Sequence, residues 1–157
     1  QGEQTSNATI AATMTLLTEV GKSPAHVVKD TPGFVANRLQ HALWREAIAM
    51  VAEGICDAAT LDACVKNSFG LRLPVLGPLE NADLVGLDLT LDIHKTMMPE
   101  LDRHAVPHSF LEAKVANGDL GFKSGQGFRS WTNEEMQQLR KQLADHLVAA
   151  QQRREST

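Results

Sequence analysis

Asn37, Arg38, His41 and Arg45 fall within an arc of about 100° if the residues around them form one helix. Val35, Leu39, Ala42, Leu43, Ala47 and Met50 cover a broad apolar face of that helix, and Phe34, Trp44, Ile48 and Val51 carry apolarity most of the way round. A polar strip on an otherwise apolar helix must meet water, another polar surface or a ligand. Its plainest reading is the wet face of the helix. Asn37 is its least ordinary member. Asparagine is a mediocre helix former, and its amide donates and accepts at once, so it can hold a substrate carbonyl or hydroxyl in place.

The segment that must position this strip begins at Lys29-Asp30-Thr31-Pro32-Gly33-Phe34. Asp30 or Thr31 is placed to cap a helix running from Pro32 to Glu53, with Gly54 as its stop. Gly33 lets the incoming chain or a ligand approach the helix start. Upstream, Ser6 to Val20 reads as a helix capped by Thr5 or Ser6 and ended by Gly21. His26 to Lys29 reads as a short strand that needs a sheet from elsewhere. Downstream only helices are predicted: Asp57 to Ser68, Leu79 to about His94 tolerating Gly86, Ser109 to Ala116, and Asn133 to Ala150. Thr132 and Glu135 form the capping box of the last of these. Gly118 to Gly127 is a glycine-rich loop, read as a turn between two helices.

Composition narrows the classes. The 157 residues are 43% hydrophobic and 22% charged, enough for one domain with a core. A net charge of −4 with no long basic run argues against nucleic acid as a partner. No apolar run reaches the roughly 20 residues that cross a bilayer, so no membrane partner is expected. Cys56 and Cys64 fit no zinc spacing and read as two buried or idle thiols in a reducing, cytoplasmic setting. His104 and His108 are separated by Pro107, which breaks the helix that would align them on a metal. Gln1 to Thr5 reads as the middle of a longer chain.

Three motifs carry a resemblance. Lys29 to Leu39, KDTPGFVANRL, resembles the signature segment of the L-3-hydroxyacyl-CoA dehydrogenases. Gly77-Pro78-Leu79-Glu80 with Asp83 to Asp88 resembles a second family motif, and Gly121 to Phe128 resembles the loop near the family's C-terminus. They occur in the family's order, with two departures: Arg129 stands where an aromatic residue is more frequent, and Leu79 where Phe is common.

The resemblance implies a mainly α fold, a helical C-terminal domain like that of the 6-phosphogluconate dehydrogenase-like enzymes. Residues 1–30 would be the last helix and strand of a Rossmann-type NAD-binding domain, residues 31–150 the helical domain, and residues 151–157 a frayed tail. It implies a parent enzyme that oxidises a 3-hydroxyacyl-CoA to a 3-oxoacyl-CoA with NAD as cofactor, in fatty acid metabolism. The family's nucleotide loop and catalytic His–Glu pair match no residues here, so this stretch alone is expected to be inactive. Asn37 matches the family's active-site asparagine, and Gly33, Phe34, Arg38, His41 and Lys123 are the expected substrate-binding residues. The expected partners are acyl-CoA and a second copy in a homodimer. The alternatives are a non-catalytic helical dimerisation module and a relative acting on a non-CoA hydroxy acid.

Overall fold

A computed structural model describes residues 1–155. Seven helices account for most of them: α1 Asn7–Glu19, α2 Ala36–Ala52, α3 Ala58–Asn67, α4 Pro78–Val85, α5 Leu87–Met97, α6 Ser109–Ala116 and α7 Asn133–Glu155. The chain divides into two compact units, Gln1–Trp44 and Arg45–Thr157, with the division falling inside α2.

In the first unit, Ser6 caps α1 by accepting the N–H of Thr9 at 3.1 Å. Gly21 ends the helix at φ 74°, where the N–H of Lys22 reaches back to the carbonyl of Leu17 at 2.9 Å. The segment His26–Lys29 pairs with no strand among the described residues. Its carbonyl at Val27 accepts from the Gln1 amino terminus at 2.7 Å, and His26 Nε2 lies 3.1 Å from Gln1 Oε1.

The start of α2 differs from the expectation. Pro32 does not open the helix. The N–H of Phe34 donates to Thr31 at 3.0 Å and Gly33 has φ 78°, the arrangement of a Pro-Gly type II turn. Phe34 then takes φ 46°, and the helix begins only at Ala36. Neither Asp30 nor Thr31 is therefore its cap. The far end matches: Gly54 at φ 74° stops α2, and Ile55 N–H returns to Met50 at 3.0 Å.

In the second unit, Asp57 caps α3 through Thr60 N–H at 2.7 Å. A short 3-10 turn, Phe69–Leu71, follows α3. The single helix expected from Leu79 to His94 is two helices. Gly86 adopts φ 105°, a conformation open to glycine, and separates α4 from α5. Thr90 Oγ1 holds the junction by donating to the Gly86 carbonyl at 2.9 Å. Thr132 and Glu135 form the predicted capping box: Glu135 N–H donates to Thr132 Oγ1 at 3.2 Å, and Thr132 N–H to Glu135 Oε2 at 2.8 Å. α7 runs on to Glu155, so Gln151–Glu155 continue the helix instead of forming a frayed tail; the rest of that tail lies outside the described residues.

The core is sparse. Ala49 on α2 and Met136 on α7 are the buried hydrophobic residues among those described. Helix α2, apolar most of the way round, leaves Leu39, Leu43 and Trp44 between 42% and 57% exposed, and Val35 just ahead of it is 55% exposed. The apolar faces are formed, but this chain alone does not cover them.

Candidate functional site

Asn37 and Arg38 occupy the first turn of α2, and His41 lies one turn further along. The Pro32-Gly33 turn folds back over them. A β-carbon added to Gly33 would stand 3.5 Å from Asn37 Cβ and 3.4 Å from Arg38 Cγ. Glycine thus brings the backbone against the polar strip and also supplies the positive φ. Asn37, Arg38 and His41 are all exposed. His41 packs edge-on against Trp44, with ring centroids 5.1 Å apart. Phe34 is 51% exposed beside the turn. The arrangement offers an amide that can donate and accept, a fixed cation and an imidazole on one helical face. It can bind and orient an oxygen-bearing or anionic substrate.

Arg45, the fourth member of the strip, has a structural partner. Its Nε lies 3.6 Å from Asp102 Oδ2. Asp102 also accepts from the ring Nδ1 of His104, while its own backbone N–H donates to Glu46 Oε2 at 2.8 Å. The Asp102 side chain is 7% exposed, and the His104 hydrogen bond is the main cause that holds its carboxyl below the ordinary range. The sequence reading did not identify this hub. No local spacing signals it, because Asp102 lies 56 positions beyond Glu46 in the chain.

Lys123 belongs to the second unit, in the glycine-rich loop, and is exposed. The loop bonds to itself. Gly121 N–H donates to Gln126 at 2.7 Å, Gly127 N–H to Arg129 at 2.9 Å, and Leu120 N–H to Ser124 Oγ at 2.8 Å. A β-carbon at Gly127 would meet Gly121 Cα at 2.8 Å, so the two strands of the loop touch backbone to backbone. Part of the loop's backbone is thus satisfied within the loop itself. Beyond it, Arg129 stacks over Trp131 at 4.6 Å and lies 4.0 Å from Asp62. These side chains line an open groove of about 330 Å³ together with Lys66 and Gln138. Arg129, which departs from the aromatic usual in the family, thus serves as a ring cover and an ion-pair partner.

A polar first turn on a long apolar helix, followed by further helices and a self-bonded glycine loop, makes up a helical domain. Residues 33–131 match the family described as 3-hydroxyacyl-CoA dehydrogenase, C-terminal domain, and the chain belongs to that family. It is 37% identical over 149 residues to 5-formyl-3-hydroxy-2-methylpyridine 4-carboxylate 5-dehydrogenase of Mesorhizobium japonicum, covering 94% of this chain and 48% of that protein. It is 37% identical over 129 residues to a probable 3-hydroxybutyryl-CoA dehydrogenase of Deinococcus radiodurans, covering 82% of this chain and 45% of the relative. A crystal structure of a 5-formyl-3-hydroxy-2-methylpyridine 4-carboxylic acid 5-dehydrogenase, described as an NAD+ dependent dismutase, superposes with a TM-score of 0.90. That match has 34% identity and covers 95% of this chain and 48% of the other. The chain therefore spans about half the length of the relatives it matches. Among the described residues no helix is long and apolar enough to cross a membrane.

Proposed function

We propose that this chain is the substrate-cleft and dimerisation part of an NAD-dependent dehydrogenase that oxidises the C3 hydroxyl of a 3-hydroxyacyl-CoA. The observation that carries the proposal is Asn37 in the first turn of α2, set beneath the Gly33 turn and beside Arg38. NAD belongs to the nucleotide domain that the resemblance implies for residues 1–30 and what precedes them; residues 31–150 then form the helical domain. Asn37 hydrogen-bonds the substrate oxygen and fixes its geometry, while Arg38 and His41 flank it, with Lys123 as a further substrate contact. By itself the 157-residue chain is inactive on this reading.

A second reading has its own support. The similarity to the pyridine carboxylate enzyme extends across 94% of the chain and reaches past residue 131, where the family match stops. A small carboxylate substrate suits the guanidinium of Arg38 next to the Asn37 amide. The two readings separate in one experiment on the full-length protein. NADH oxidation with acetoacetyl-CoA supports the CoA reading. NADH formation from a formyl pyridine carboxylate, without turnover of the thioester, supports the second.

The same proposal includes a homodimer in the cytoplasm. Its support is α5, which carries Leu87 and Leu91 along one stripe and Leu89 and Ile93 along another, each 47% to 63% exposed. Two apolar stripes on one helix need cover that the rest of the described chain does not give. Sedimentation at micromolar concentration tests it, and a monomer counts against it.

A further inference from the structure

Along α2, Asn37, His41 and Trp44 fall within about 60° of one another at 100° per residue, so they stand in one line. At 1.5 Å per residue the line runs about 10 Å, from an amide through an imidazole to an indole. Its two ends differ. The end at Asn37 is closed by the Pro32-Gly33 turn, whose backbone lies so near that a β-carbon on Gly33 would stand 3.5 Å from Asn37 Cβ. The end at Trp44 is open. Trp44 is the largest side chain of the helix, yet it is 48% exposed. Its ring packs with His41, at 5.1 Å between centroids and 74° between planes. Two rings at that angle make a corner with ring surface on both walls.

We propose that Trp44, with His41 as the second wall, sets acyl-chain length by taking the apolar tail of the substrate beyond the reacting C3. The inference rests on the 3-hydroxyacyl-CoA reading and deepens it. Asn37 holds the oxygen on C3, and the rest of the acyl group needs an apolar surface. Along this face the backbone of Gly33 blocks one direction from Asn37, and the other leads over His41 to Trp44. Arg38 and Arg45 follow Asn37 and Trp44 by one residue, about 100° round the helix, and so stand off this line. A hydrocarbon tail gains about fourfold in affinity for each methylene it buries, so an aromatic corner at the far end of the line selects length without a hydrogen bond.

The test is steady-state kinetics of the full-length protein with acetoacetyl-CoA and 3-oxooctanoyl-CoA, comparing wild type with Trp44→Ala and Trp44→Phe. Alanine keeps helix propensity at this half-exposed position, and circular dichroism follows the helicity. The quantity read is the ratio of kcat/KM for the eight-carbon thioester to that for the four-carbon one. The proposal predicts that Trp44→Ala lowers this ratio at least about tenfold, with the loss in KM, and that Trp44→Phe keeps most of it. A merely loosened helix lowers turnover of both thioesters together and leaves the ratio alone. A ratio unchanged in Trp44→Ala, or a wild type that accepts the four-carbon thioester alone, overturns the role given to Trp44 and keeps the thioester reading. A wild type that turns over neither thioester overturns both.

Discussion

Glu46 on α2 accepts the backbone N–H of Asp102 at 2.8 Å, and the neighbouring Arg45 faces the carboxylate of the same residue. Two successive residues of one helix thereby clamp the loop ahead of α6. The loop is fixed by charge and hydrogen bonds where there is little apolar core to fix it.

The clamp gives the fold a pH dependence with a definite sign. Asp102 is held below the ordinary carboxylate range, first by the His104 side chain and further by the His104 N–H and the charges of His104 and Arg45. A carboxyl depressed in the folded state stabilises it above the unfolded pKa of about 4, and that contribution disappears as pH falls through the lower folded value. Asp102→Asn should lower the unfolding midpoint at pH 7 and flatten the loss of stability below about pH 4. Denaturation curves at pH 7 and pH 3 check this, and an unchanged acid slope in the variant would refute the role given to Asp102.

The glycine loop gives a steric prediction. Gly127→Ala places a methyl group 2.8 Å from Gly121 Cα and 3.1 Å from its nitrogen, both backbone atoms that cannot swing aside. The cost should be about 1–3 kcal/mol, as for overpacking elsewhere. Urea unfolding measures it. A neutral substitution would mean that the two strands of the loop are not in contact.

At the start of α7, Thr132→Ala removes the acceptor for Glu135 N–H. The loss should be about 1 kcal/mol. Thr132→Ser, which keeps the hydroxyl, should recover most of it in the same denaturation assay.

What could be read from the sequence was mostly local chemistry. Ser6, Asp57 and the Thr132–Glu135 box cap helices through side chains reaching backbone groups three residues away; the Thr132–Glu135 box is found as expected, and Ser6 is the one of the two candidates that caps α1. Pro32-Gly33 misled because proline suits both the first turn of a helix and the second position of a type II turn; the positive φ of Gly33 decides for the turn. Gly86 misled in the same way, since a glycine can be tolerated inside a helix or can divide two. The Asp102 hub was out of reach because its partners come from distant parts of the chain. The apolar pattern of α2 predicts burial, yet only Ala49 of that helix is buried among the described residues, because periodicity marks an apolar face without saying what covers it. Of the candidate site, Gly33, Asn37 and Arg38 are brought together, His41 follows one turn on, and Lys123 belongs to the other unit.

The most direct test of the account is steady-state kinetics of the full-length protein carrying Asn37→Ala, with the substrate that the two-substrate assay selects. The account predicts a fall in kcat of about 100-fold, with the chain still folded and dimeric, because a group that fixes the reacting geometry has been removed. A variant with wild-type kcat and KM would contradict it, and would leave Asn37 as part of the wet face of α2.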